Sequence, residues 1–157
     1  VLDNVAVAIP NQPGEKVSNL ILHPIRSRKA ENSVELIALE CLTVLGVANS
    51  ADQLVRNLSY GDQKLVAIAR LLATDCDVLL LDEPASGVDP GSVNLVIEGV
   101  SKLRDLGKTV CLVEHSVHFV ERLADHAVFL DQGVVIAQGT VAELVSSDEL
   151  TELYFGN

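Results

Sequence analysis

The chain of 157 residues sets 22 acidic side chains against 11 lysines and arginines, a formal charge of -11, at a hydrophobic content of 48%. That acidic balance excludes a nonspecific binder of nucleic acid or anionic lipid, whose affinity would rest on basic surface. No apolar run reaches the roughly 18 residues of a membrane span and no basic-then-apolar leader opens the chain, so neither a span nor a signal peptide is expected.

In chain order, residues 1–9, VLDNVAVAI, read as a short helix through Val1, Leu2, Val5 and Ile9, or as a strand through Val5 and Val7, with the helix favoured. Pro10, Pro13 and Gly14 open a loop, and residues 17–22 are too short to assign. Arg26, Arg28 and Lys29 form the only basic cluster and read as a solvated helix start. From 31 to 45, Val34, Ile37, Ala38, Cys41, Leu42 and Leu45 recur at spacings of three and four, which predicts a helix with one apolar face ended by Gly46. Leu54 and Val55 are expected to turn once against the same core. Cys41, Cys76 and Cys111 are isolated in apolar surroundings and read as buried thiols rather than a disulfide or metal framework. The chain has no methionine, so a processed or cropped N-terminus is expected.

The stretch LSYGDQ, residues 58–63, places a hydroxyl and a glycine before a helix predicted from about Asp62, with Leu65, Ile68, Ala69 and Leu72 on one face. Gly61 is expected to break the preceding segment. Such a helix start offers N–H groups and the positive dipole end to an anion, and equally Ser59 and Asp62 are good capping residues. Residues 78–90, VLLLDEPASGVDP, then supply a run of four apolar residues that reads as a strand buried on both faces. Pro84 stops it, leaving Asp82 and Glu83 at the C-terminal edge, where ligands of open α/β sheets bind. One carboxylate can hold Mg²⁺ while the other polarises water, the chemistry phosphate transfer needs; the bland reading is a solvated strand exit. Pro90 suits the first turn of a helix running to Leu106, capped by Gly107. TVCLV, residues 109–113, is predicted as the next buried strand and delivers Glu114 and His115 to the same edge if the strands are parallel. A short helix over 117–123 follows, and then antiparallel strands at 127–130 and 134–137 joined through Asp131, Gln132 and Gly133. His23, His118 and His126 read as structural or exposed, and Tyr154 and Phe155 as a packed tail.

LSYGDQ, one helix, VLLLDEP, SGVD and an isolated histidine at the next strand end, in that order, resemble the ATP-binding cassette (ABC) ATPases. Residues 58–63 look like the family's signature, 78–83 like its Walker B strand with the catalytic glutamate, 86–89 like its D-loop, and His115 like its switch histidine. Tyr60 stands where the commonest signature has a second glycine; LSYGDQ and the closing ELYFGN resemble the cassette subunits of branched-chain amino acid importers and their relatives, urea importers among them. The resemblance implies an α/β, partial P-loop NTPase-like nucleotide-binding domain, with a helical signature subdomain over 1–73 and the C-terminal half of the catalytic core over 74–157. It implies ATP and Mg²⁺ as cofactors, with Asp82 on the metal, Glu83 as general base and His115 at the γ-phosphate in cis. Ser59, Tyr60, Gly61 and Gln63 would complete a partner's nucleotide site in trans, and Ser86 and Asp89 would couple the two sites. Implied partners are a second ABC ATPase subunit and membrane permease subunits, with the protein peripheral on the cytoplasmic face of the membrane and no nucleic acid involved.

No GxxxxGK loop occurs in the sequence, and Gln12, in a proline-rich loop, is a poor Q-loop glutamine. The chain therefore looks like a cassette cropped after its Q-loop, expected to be inactive as an ATPase alone. The competing reading is a short, non-enzymatic regulator that binds transporter partners. Against it, a scaffold needs none of Asp82, Glu83, His115 and Ser59.

Overall fold

A computed structural model describes residues 1–12 and 24–146, with side chains from 31 onward in the second stretch. The readings of Pro13, Gly14, residues 17–22, His23, the side chains of Arg26, Arg28 and Lys29, and the tail with Tyr154 and Phe155 lie outside the described residues. The chain divides into two compact units, Val1–Leu112 and Val113–Asn157.

The first unit opens with α1 (Leu2–Ala6), so the helix prevails over the strand for 1–9. Val5 is completely buried, and the Gln12 side-chain amide donates to the carbonyls of Ala6 at 2.6 Å and Ile9 at 3.0 Å, closing off the helix end. Helix α2 runs Pro24–Val44, seven residues earlier than the apolar spacing predicted. Among its described side chains, Ala38, Cys41 and Leu42 are buried, while Leu36, Ile37 and Leu39 are exposed. Burial pushes the Cys41 thiol up from its ordinary value, with the Glu40 charge adding to the effect, which suits an unreactive thiol. Single 3₁₀ turns follow at Ala48–Ser50 and Val55–Asn57. Leu54 is 54% exposed and Val55 half-buried, so the turn expected to pack on the core does so only in part, through Val55.

Helix α3 (Tyr60–Ala73) lays Leu65, Val66, Ile68, Ala69 and Ala73 into this core, and α4 (Val93–Asp105) adds Val96, Ile97, Val100 and Leu103. Each fully buried leucine or valine contributes about 1.5–3 kcal/mol relative to exposure. The two helices approach closely because residue 99 is glycine: a methyl group there would stand 2.7 Å from Leu65 Cδ2 and 3.1 Å from Leu45 Cδ1. Pro90 lies outside α4, which starts three residues later with Ser92 at its N-cap. Gly107, at φ +79°, ends it and donates to the Arg104 carbonyl at 2.8 Å.

Strands β1 (Val78–Asp82) and β2 (Thr109–Val113) form a two-stranded sheet. The Thr109 amide donates to the Asp77 carbonyl at 2.8 Å. The strand starts therefore lie side by side, and only strands of the same direction stay paired from there. The expectation of burial on both faces fails for both. In β1, Leu79 and Leu81 are buried but Leu80 is 73% exposed, and in β2 no side chain is fully buried. Cys76 and Cys111, read as buried thiols, are exposed as well.

The second unit holds α5 (Val117–Leu123), strands β3 (His126–Asp131) and β4 (Val134–Thr140), and α6 (Val141–Val145). The strands pair antiparallel from His126 opposite Thr140 to Asp131 opposite Val134, with an irregularity between Phe129 and Leu130. Gln132 and Gly133 both have positive φ, as a two-residue type I′ connection requires. Among the described residues of this unit, Phe119, Leu123 and Leu144 are the buried apolar ones. Among the described residues no helix is long and apolar enough to cross a membrane.

Candidate functional site

Ser59 stands just ahead of α3 and caps it. Its Oγ accepts from the Asp62 amide at 3.1 Å and donates to Asp62 Oδ2 at 2.7 Å, and the Gln63 amide donates to the Ser59 carbonyl at 3.0 Å. Both readings of this serine thus meet at one atom. The hydroxyl satisfies the helix start, and it reaches a bound phosphate only by releasing the Asp62 carboxylate, which competes for the same positive helix end. The Gln63 side-chain amide donates to the Leu58 carbonyl at 3.1 Å and fixes the residue that leads into the cap. Gly61, expected to break the preceding segment, lies inside the first turn of α3 and is buried. The reason is packing: a methyl group on Gly61 would meet Ser92 Cβ at 3.1 Å, so the glycine admits the turn before α4.

Asp82 and Glu83 occupy the C-terminal end of β1, and both are exposed. Glu83 has φ +42°, a left-handed conformation uncommon outside glycine. The chain turns sharply there: the Ser86 amide donates to the Glu83 carbonyl at 3.0 Å and the Val88 amide to the Ala85 carbonyl at 3.1 Å. Gly87 follows at φ +75°, beneath the Tyr60 ring. Asp89 then accepts from the Ser92 amide at 3.1 Å. The Ser92 hydroxyl above all, with the Ser92 and Gly91 amides, holds the Asp89 carboxyl below its ordinary value.

The first unit therefore brings the head of α3 (Ser59, Tyr60, Gly61) against the 87–92 turn, the same turn that continues from the two carboxylates through Ser86. His115 belongs to the second unit, where it is exposed beside Ser116, the N-cap of α5. With Glu114, Phe129 and Leu144 it lines a recess of about 60 Å³. A larger concavity in that unit, about 540 Å³ between α5 and α6, contains none of the expected site residues. Among the described residues no three His, Cys, Asp or Glu side chains cluster as a metal centre.

Two participants escaped the sequence reading. Ser92 contacts both Asp89 and Gly61, and its signal was present in DPGS, where an Asp three residues ahead of a Ser suits a capped turn. Lys64 sits with its Nζ 5.6 Å from the Tyr60 ring centroid, within cation–π range, a pairing available from the four-residue spacing on a helix.

Residues 8–86 match the family described as ABC transporter. The chain is 39% identical over 119 residues to the glutamate transport ATP-binding protein GluA of Corynebacterium glutamicum, covering 75% of this chain and 49% of that protein. It is 30% identical over 157 residues to the high-affinity branched-chain amino acid transport ATP-binding protein LivG of Salmonella typhimurium, covering 99% of this chain and 62% of that protein. A crystal structure of a nucleotide-free ATP-binding cassette from an ABC transporter superposes with a TM-score of 0.75 at 29% identity, over 99% of this chain and 62% of that one. The chain thus spans about half the length of GluA and rather more of LivG.

Proposed function

We propose, because the chain belongs to the ABC transporter family, that these residues are part of the ATP-binding and ATP-hydrolysing subunit of an amino acid importer, with branched-chain amino acids as its solutes. Its fold is that of the P-loop NTPase-like nucleotide-binding domain of ABC ATPases. The observation that carries the proposal is the meeting of LSYGDQ, at the capped head of α3, with the turn that leaves the Asp82–Glu83 strand end. The branched-chain reading is supported by the extent of similarity, 99% of the chain for LivG against 75% for GluA, although identity is higher for GluA.

In this reading Asp82 would hold Mg²⁺. An exposed carboxylate at a strand end fits that ion, which is bound by one or two carboxylates together with substrate phosphates and keeps several waters. When bound, the ion supplies charge neutralisation at the phosphates. Glu83 takes the proton of the attacking water, and His115 hydrogen-bonds the γ-phosphate. Ser59, Gly61 and Gln63 face the nucleotide of a second ABC ATPase subunit, with Tyr60 beside them over Gly87, and Ser86 and Asp89 join the two sites. The division of labour falls between α3 and β1, with 1–73 as the helical signature subdomain and 74–157 as catalytic core. Membrane permease subunits dock on the former, which puts the protein on the cytoplasmic face of the membrane. The phosphate-cradling loop is absent from residues 1–157, so ATP turnover belongs to the whole protein and not to these residues alone.

Uptake measurements test the assignment. Disruption of the gene in its source is expected to abolish uptake of labelled leucine and spare glutamate. Loss of glutamate uptake alone would remove the branched-chain reading, and loss of neither would remove the amino acid importer.

A further inference from the structure

The Tyr60 ring edge lies directly over Gly87. A methyl group built on Gly87 would stand 2.9 Å from Tyr60 Cε1 and 3.5 Å from both Cζ and Oη, so the ring touches main chain that has no side chain of its own. Gly87 sits between Ser86 and Asp89, in a turn that carries short-range bonds from the Ser86 amide to the Glu83 carbonyl at 3.0 Å and from the Val88 amide to the Ala85 carbonyl at 3.1 Å. Five residues on, Ser92 packs against Gly61 at the same helix head. The 86–92 segment is thereby pinned to the start of α3 at two points, Tyr60 on Gly87 and Gly61 on Ser92. Lys64, 5.6 Å from the ring centroid, restrains the ring from its own helix. A glycine at position 60 would leave the second point alone.

We infer that Tyr60 is a positioning residue: it acts by closing over Gly87 and fixing the segment that carries Ser86 and Asp89 within its own chain, rather than by touching nucleotide. The chemical requirement is a flat ring at position 60 and no side chain at position 87. The hydroxyl is dispensable.

The test uses the full-length protein with Tyr60→Ala and Tyr60→Phe, alanine being chosen because it favours the helix that residue 60 begins. The first readout is amide hydrogen exchange at Ser86 and Val88 without nucleotide, which does not depend on the ATPase reading. Tyr60→Ala is expected to speed exchange at both on the order of tenfold, by local opening, with Tyr60→Phe unchanged. Equal protection in Tyr60→Ala and wild type overturns the inference. The second readout, steady-state ATP hydrolysis, rests on the proposed ATPase function. Tyr60→Ala is expected to lower kcat by about 10- to 100-fold, as misplacement of positioned groups does, with KM for ATP nearly constant and Tyr60→Phe restoring kcat. A rise in KM at constant kcat, or failure of Phe to restore kcat, overturns the positioning role. If wild type hydrolyses no ATP while the exchange difference is present, the ATPase reading falls and the contact between ring and turn stands.

Discussion

The Asp89 carboxylate accepts from the Ser92 amide at 3.1 Å and from the Ser92 hydroxyl, and these bonds hold its pKa below the ordinary value of 3.8. A carboxylate whose pKa is lower folded than unfolded binds fewer protons in the native state. Its contribution to stability is complete above the unfolded value, declines as pH falls through the folded one, and vanishes below both. The Asp89→Asn variant keeps an acceptor for the Ser92 amide but does not titrate. The gap between wild type and Asp89→Asn in urea midpoint is therefore expected to be constant above about pH 5 and to close in more acidic solution. A gap that persists unchanged at the acid end would mean that the carboxylate charge does not support the turn. Glu143, held low first by the Thr140 hydroxyl in the capping box of α6, titrates by the same rule in the other unit. Only the comparison with Asp89→Asn separates the two. Ser59 has a measurable share at this scale too. Ser59→Ala removes the oxygen that accepts from Asp62, and its expected cost is about 1 kcal/mol in denaturant unfolding.

Packing between elements turns on Gly99. An alanine there gains up to about 1 kcal/mol of helix propensity in α4. Its methyl, however, would lie 2.7 Å from Leu65 Cδ2 and 3.1 Å from Leu45 Cδ1, both buried side chains with little room to retreat. Overpacking of this kind costs about 1–3 kcal/mol, so Gly99→Ala is expected to lower the melting temperature despite the better propensity. An increase would show that α3 and α4 separate without loss. The sequence made α3 and α4 legible because period and chemistry agree in them: Ile68, Ala69, Val96, Val100 and Leu103 recur at helical spacing and all are buried. The hairpin was legible for a local reason, the glycine that a type I′ turn requires. Burial of the strands was not, because four consecutive apolar residues say nothing about how many faces are covered: Leu79 and Leu81 are enclosed, whereas Val78 and Leu80 are open. The start of α2 was missed because the sequence PIRSRKA, residues 24–30, has a single large apolar residue and so no apolar periodicity to read. Gly61 misled for the opposite reason: glycine usually interrupts a helix, but here it is retained inside one by the closeness of Ser92. The candidate site residues were named from their order along the chain, while the Tyr60–Gly87 contact depends on a turn conformation that no spacing encodes.

For the whole molecule, the decisive balance in the proposed ATPase is between the groups that would carry out hydrolysis and those that would hold the substrate. Asp82, Glu83 and Ser59 supply a metal ligand, a base and a helix-start contact in the proposed reaction, but a triphosphate is held mainly by a loop of backbone amides with a lysine at the terminal phosphates. No GxxxxGK sequence occurs in residues 1–157. Without that cradle, nucleotide is not held in line with the attacking water, and positioning is most of what catalyses phosphoryl transfer. Residues 1–157 alone are accordingly expected to release phosphate from ATP no faster than buffer. In the full-length protein, Glu83→Gln keeps the side chain's size and removes its basicity, so kcat is expected to fall by about 10²- to 10⁴-fold while ATP is still bound. Phosphate release and nucleotide binding, measured on both proteins with and without the substitution, separate the two contributions. Turnover by residues 1–157 that disappeared on Glu83→Gln would place a sufficient phosphate site within them. Turnover by the full-length protein that survived the substitution would mean that another group takes the proton.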